Sequence, residues 1–446
     1  MINKMRLIFM GFVLLSPASS FSQHWSKAGT GFNFSPDVFK VDNASNLMYA
    51  SGSFTKVGEI PVHYAAQFDG TDWDSIPFLH QYYADYNITS FQGKILFGAI
   101  TLLSWDGNQV DTFAKVSGGS IFGTTIYKND LVVYGLFDSI AGVAAKSIAK
   151  WNGVSWSAID TTNWGNGPIG VAVEYQGNLY IGGNFVTKDG VLDRLAYWNG
   201  AKWLPVGNGI RGGAAGVGSF EIYEDDLYIG GGFDTTLGNP GFCVARWNGT
   251  LWKDAGAGMT SLNAFISDLQ VFNGELYACG RFTRIGDVPI LAIAKWDGYK
   301  WCGLGQKFIP NFTIAMNCMA VYNNELYVGG PFLAIDGDTV NYVAKWLGGD
   351  YSDTCSTITS VDEINNGTFH VGIFPSPVSN HLHCISHSLA TNAFIQIYNL
   401  EGKIIMDNLA VLKKDVEIDV STFSPGLYFL VLQDDKQRVV RKFVKE

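Results

Sequence analysis

The sequence predicts an all-β chain, and three observations carry the prediction. A unit of about 50 residues recurs from Phe68 to Tyr351, marked by pairs of aromatics five residues apart. The composition suits packed sheets: 47% of the 446 residues are hydrophobic, 14% are aromatic and 52 are glycine, with no long amphipathic helical period among them. After residue 371 the repeat gives way to a different series of short strands. Together these predict a seven-bladed β-propeller followed by a small Ig-like β-sandwich.

The core of the repeat is L-Y-x-G-G-x-F, a spacer, then A-x-W-[DN]-G-x-x-W, as in Glu275–Gly305. The paired aromatics stand at Phe68/Trp73, Trp151/Trp156, Trp198/Trp203, Trp247/Trp252, Trp296/Trp301 and Trp346/Tyr351, with a degenerate copy at Val116/Ile121. Leu179–Gly183 is apolar and strand-like, and its glycines admit a neighbouring backbone. Asp268–Phe272, ahead of such a segment, predicts one further strand and Ala294–Trp296 another. Asp297-Gly298 or Asn199-Gly200 is expected to give the positive φ angles of a tight hairpin, after which Trp301 opens the last strand. One such meander cannot bury both faces, so the units must pack on each other, with the aromatics in the seams.

These residues resemble the kelch family of β-propellers over roughly residues 25–352. Tyr327–Gly330 is similar to the family's double glycine after an apolar strand, and Trp296 with Trp301 to its spaced aromatic pair. Trp in the first place of the pair and the slightly shorter spacing depart from the family pattern. The resemblance implies the fold and leaves function open, because such propellers include binding modules, structural proteins and a few enzymes. Trp25-Ser-Lys-Ala-Gly-Thr-Gly31 copies Trp252-Lys-Asp-Ala-Gly-Ala-Gly258 with no unit before it. It is expected to complete the seventh blade, a place for which the segment from Tyr351 competes.

Residues 1–22 read as a secretory signal: Lys4 and Arg6, the apolar run Leu7–Leu15, then Ser20 and Ser22 before a cut at Gln23. That run is too short to span a membrane, and no other stretch is long enough. The net charge of −10 includes +2 in the signal and a balanced 371–446, so residues 23–370 carry −12. An acidic body argues against nucleic acid and anionic membrane as partners. The six cysteines, Cys243, Cys279, Cys302, Cys318, Cys355 and Cys384, form no C-x-x-C pair, and their spacing does not choose between disulfides and buried thiols.

The boundaries follow: signal 1–22, propeller 23–355, a polar Ser/Thr/Asn-rich linker 356–371, and a C-terminal domain 372–446. In the last, Phe374-Pro-Ser-Pro377, Ile397-Tyr398 with Gly402-Lys403, Gly426-Leu-Tyr428 and the lysine-flanked end at Lys442 and Lys445 stand in order. They resemble the sorting domain of the type IX secretion system of Bacteroidetes-type bacteria, with Ser376 where Asn is usual. The resemblance assigns the sorting role to Pro375, Pro377, Gly402, Lys403, Gly426, Tyr428, Lys442 and Lys445. It implies the secretion machinery as partner, export, removal of the domain, and release or surface attachment.

Candidate sites are few. His381, His383 and His387 alternate along one strand, a pattern open to a metal, but Leu382 and Cys384 between them suit a core and leave the histidines exposed. In the propeller, His24, His63 and His80 suggest no metal constellation. Glycine-rich Arg211–Ser219 runs into a strand and reads as a connection. The connection Pro77–Tyr86 carries Phe78, His80, Tyr82, Tyr83 and Tyr86, aromatics suited to stacking on a sugar or a protein partner. By strand parity its face also carries Asp138, Asp189, Asp234, Asp287, Asp336 and Asp338, candidates for calcium whose plainer role is to cap turns. Asp74-Ser-Ile, Asp138-Ser-Ile and Asp338-Thr-Val resemble the O-glycosylation sequon of the same bacteria.

No catalytic residue and no cofactor is singled out. The function expected is a secreted or cell-surface binding module for glycan or protein. The alternatives are a propeller enzyme acting on carbohydrate through paired carboxylates, or a structural part of a surface assembly.

Overall fold

The computed structural model describes residues 25–446 except 77–87, 160–163, 165–166, 211–215, 235–240, 257, 261–262, 287, 299, 305–307, 312–313, 349–370, 376, 387–392, 400–402, 412–414 and 434–437. Among the described residues every regular element is a β-strand. From 36 to 346 the strands group into seven antiparallel units: 36–75, 88–117, 120–158, 169–205, 217–253, 265–303 and 318–346. Six of them form four strands in chain order. The seventh forms three, and Trp25–Lys27 takes its fourth place, with Trp25 paired to Trp346. Tyr351, which competed for that place, lies outside the described residues. Each unit's first strand packs on the next unit's first strand, and that of unit 7, Cys318–Tyr322, packs on that of unit 1, Pro36–Asp42. The order of units therefore closes on itself.

The double glycine explains how the units come so close. A Cβ on the first glycine would strike the next unit's first strand: Gly182 would meet Val217 at 2.5 Å, Gly230 Ile266 at 2.5 Å, and Gly329 Pro36 at 2.6 Å. A Cβ on the second would strike its own unit's first strand, at the carbonyl oxygens of Pro168 (2.3 Å from Gly183) and Phe265 (2.0 Å from Gly280). The first strands carry a register shift at the matching point, between Pro36/Val38, Ile121/Gly123, Ile169/Val171, Val217/Ser219 and Ile266/Asp268. One glycine thus admits the neighbouring unit and the other admits the bulge.

The aromatic pairs face each other across the third and fourth strands. Ring centroids lie 4.8 Å apart for Phe68/Trp73, 5.5 Å for Trp151/Trp156, 5.3 Å for Trp296/Trp301 and 4.8 Å for Trp25/Trp346. Each such pair contributes about 0.5–1.5 kcal/mol beyond its burial. Two expectations need correction. Val116 and Ile121 are not a copy of the pair: Val116 ends the fourth strand of unit 2 and Ile121 opens the first strand of unit 3. The true copy is Trp105, paired with Val110 across Asp106-Gly107. The turn is also not a two-residue hairpin. Only its glycine has positive φ, between 94° and 101° from Gly70 to Gly348. The Asp or Asn before it accepts backbone N–H bonds two and three residues on, as Asn199 does from Ala201 and Lys202 at 2.9 and 3.0 Å.

Short hairpins between second and third strands pair with the connection arriving from the preceding unit, Met259 with Ile285 and Ile309 with Ala334, or with the end of that unit's fourth strand, Val116 with Ile140. Beyond residue 370 two antiparallel sheets share one core. Val371–Phe374, His381–Ser386 and Asp415–Asp419 form one sheet, and Ala393–Asn399, Ile404–Val411, Gly426–Gln433 and Arg438–Lys445 the other. Leu382, Cys384, Ile418, Ile395, Leu430 and Phe443 meet between them.

Two stability predictions follow from this packing. Gly280→Ala must displace the Phe265 carbonyl and is expected to cost about 1–3 kcal/mol in denaturant unfolding; an unchanged midpoint would contradict the close approach. Trp25→Ala leaves a cavity at the closing strand and is expected to cost about 3–5 kcal/mol. A loss within error would mean that the strand closes nothing.

Candidate functional site

The aromatics proposed for binding, Phe78, His80, Tyr82, Tyr83 and Tyr86, lie outside the described residues. The C-terminal motif is brought together. Val378, just after Pro377, donates its N–H to Val444 at 2.7 Å and accepts from Glu446 at 3.0 Å, so the opening of the domain is tied to its last strand. Tyr428 stacks on Phe443 and donates to the Ser424 carbonyl at 2.8 Å. Lys403 closes its turn against Asn399. Gly426 pairs with Lys445 at the end of the ladder, and that lysine is buried. Lys442 is exposed beside them, as are Pro375 and Pro377, while Gly402 lies outside the described residues.

His381 is exposed with its Nδ1 3.1 Å from a Glu417 carboxylate oxygen, and Leu382 and Cys384 are buried beside it. His387 is outside the described residues. Asp189 accepts from Thr187 Oγ1 at 2.6 Å and the Val191 N–H at 3.1 Å, bonds that hold its carboxyl below the usual range. It caps its own turn. Among the described residues no three His, Cys, Asp or Glu side chains gather to hold a metal ion. Cys243, Cys279, Cys318 and Cys384 are buried free thiols, and Cys302 is disulfide-bonded.

A signal missed in the sequence is an ion pair repeated inside the units. An acid at the start of the second strand meets a base on the third, always 20 residues on. Asp130 meets Lys150 at 2.8 Å, Asp226 meets Arg246 at 2.6 Å, Glu275 meets Lys295 at 2.9 Å, and Glu325 meets Lys345 at 3.0 Å. In units 6 and 7 a tyrosine hydroxyl, from Tyr277 and Tyr327, also donates to the acid.

A second repeated contact crosses the seams. A tyrosine at the end of the first strand donates to a carbonyl in the next unit's turn: Tyr175 to Asp225 at 2.9 Å, Tyr223 to Gly274 at 3.0 Å, and Tyr322 to Asn46 at 2.8 Å. Unit 6 has Phe272 at this place and no hydroxyl to cross with. There a cleft of about 390 Å³ opens between units 6 and 7, at the lower end of the range of ligand pockets. Asn273, Glu275 and Lys295 line it from unit 6, and Asn324, Glu325 and Trp346 from unit 7. Leu347, where other units have Asp or Asn, stands half exposed on its wall. The cleft is at the end of the units that carries the first-to-second and third-to-fourth turns.

A different pair of acids lies on the first strands. Asp268 accepts from the Met319 N–H at 2.8 Å, the Leu269 N–H at 2.9 Å and Ser219 Oγ at 3.5 Å, tying units 5, 6 and 7. Burial nevertheless pushes its carboxyl up to about 7. Burial, then the charge of Asp268, pushes Glu221 up to about 7 as well. A raised folded value means that the folded state keeps protons the unfolded chain has released. The stability from these two groups is therefore full below their ordinary range near pH 4 and is lost as pH rises to about 7. Asp268→Asn should flatten the fall in unfolding free energy between pH 5 and 8; equal slopes in wild type and variant would contradict the protonated assignment.

Residues 372–446 match the family model described as secretion system C-terminal sorting domain. That bears out the type IX sorting tail and, with it, export to the cell surface or the medium. No curated protein matches the chain. Among solved structures, the extracellular domain of a hybrid two-component system from B. thetaiotaomicron is similar at 11% identity and TM-score 0.32, over 94% of this chain and 78% of that one. That of a one-component system from the same organism is similar at 10% and 0.31, over 92% and 69%. The GH74 enzyme of Niastella koreensis is similar at 11% and 0.37, over 94% and 80%. Similarity this low transfers no residue role to this chain.

Proposed function

We propose that the seven units are the blades of a kelch-like β-propeller spanning 23–355, linked through 356–371 to an Ig-like sorting sandwich at 372–446. We read this propeller as a non-catalytic binding module for a glycan or a protein, carried out of the cell by the sorting domain. One observation carries the reading. The acids that the repeat brings together are already committed to scaffold partners: Asp130, Asp226, Glu275 and Glu325 to a base in their own unit, and Asp268 to three inner strands. A general acid or nucleophile needs a carboxyl free to face substrate.

A carbohydrate-active enzyme is the second reading, favoured by Glu275 and Glu325 lining one cleft. It requires their carboxyls to stand about 5–10 Å apart across a bound sugar.

Purified mature chain, offered a panel of polysaccharides and cell-surface fractions, is expected to bind without shortening any of them. Depolymerisation would contradict the module and promote the enzyme. Loss of binding in Tyr82→Ala/Tyr83→Ala would place the contact on the connection face. For export, deleting Arg438–Lys445 removes the strand that holds both Val378 and Gly426–Gln433. The truncated chain is expected to stay in the periplasm, and undiminished secretion would contradict a sorting role for this fold.

A further inference from the structure

We infer that the cleft between units 6 and 7 takes an uncharged saccharide, an assignment that rests on the binding-module reading and names its ligand class. The cleft arises from two departures from the repeat at one seam. Phe272, like Phe91 of unit 2, stands where Tyr127, Tyr175, Tyr223 and Tyr322 donate across a seam, so no ring hydroxyl reaches the Asn324 turn. Leu347 stands where other units have the Asp or Asn of the third-to-fourth turn, and Trp25–Lys27 fills the fourth place of unit 7. Leu347 gives the cleft an apolar wall.

The polar groups around the cleft fit hydroxyls better than charges. Glu275 and Glu325 offer carboxylate acceptors whose charges are balanced by Lys295 and Lys345 at 2.9 and 3.0 Å. Asn273 and Asn324 each offer an amide donor and acceptor from an exposed turn. Vicinal hydroxyls donate and accept at once, so they match this mixture. An anionic glycan would meet two carboxylates at the mouth, and a cation would have to displace a lysine from each. Half-exposed Leu347 supplies an apolar wall against which the C–H face of a sugar ring can pack.

The test uses mature full-length chain and calorimetric titration with neutral oligosaccharides of glucose, galactose, mannose and N-acetylglucosamine, and with polygalacturonic acid. Asn273 and Asn324 have φ of 51° and 61°, a conformation glycine adopts freely. Asn273→Gly/Asn324→Gly therefore removes both amides without straining the turns. Leu347→Arg, at an exposed position, narrows the cleft independently. Saturable binding of at least one neutral oligosaccharide is expected, weakened tenfold or more by either variant at unchanged Tm, with no binding of the polyacid. Wild-type affinity in both variants would overturn the cleft as the site and leave the module reading standing. Binding of the polyacid in preference to every neutral sugar would overturn the ligand class. A wild type that binds no oligosaccharide of either kind would overturn the saccharide assignment, and silence toward cell-surface proteins as well would overturn the module.

Discussion

The structure depends on how closely first strands approach second strands and the neighbouring unit. Gly183 and Gly280 lie where a side chain would collide with the carbonyls of Pro168 and Phe265; Gly182 and Gly230 lie where one would collide with Val217 and Ile266. Remove that clearance and neither the bulge nor the stacking of units survives. The remaining contacts are arranged around it. The aromatic pairs pack across the third and fourth strands, the Asx-Gly turns join those strands, and tyrosine hydroxyls and Asp268 fasten neighbouring units. Each unit's first strand packs on those of its neighbours, so stability accumulates along the series until Trp25 joins the last unit to the start of the chain.

Function is best sought where the repeat is not kept. A repeated contact holds a scaffold together; a missing one leaves a gap. At the seam of units 6 and 7 Phe272 lacks the seam-crossing hydroxyl and Leu347 lacks the polar side chain of the other turns, and the cleft lies there. The acids that elsewhere would suggest chemistry are engaged by lysine, arginine or backbone N–H groups. In the C-terminal sheets Val378, Tyr428, Phe443 and Lys445 interlock the first and last segments of the sorting domain.

Much of the architecture was legible because its causes are local. L-Y-x-G-G and W-[DN]-G-x-x-W state strand, close approach and turn in a few residues each, and the sorting motifs stand in order at the end of the chain. Val116/Ile121 was misread because spacing alone was followed; Trp105-Asp-Gly107 carried the turn chemistry that marks the true copy. The ion pairs were legible in principle, since Glu275/Lys295 and Glu325/Lys345 share an offset of 20 residues, but that offset has meaning only once the second and third strands are paired. The cleft was not legible. It depends on what Phe272 lacks and on a partner for Trp346 that lies 321 residues earlier in the chain, at Trp25.

The most direct test of this account is amide hydrogen exchange at Val343–Trp346, compared between a chain beginning at Gln23 and one beginning at Ala28. If the N-terminal strand completes unit 7 and closes the order of units, these amides are strongly protected in the longer chain. In the shorter chain they exchange faster, while Ile293–Trp296 of unit 6 changes less. Equal protection of Val343–Trp346 in the two chains would contradict the closure and the seam that depends on it.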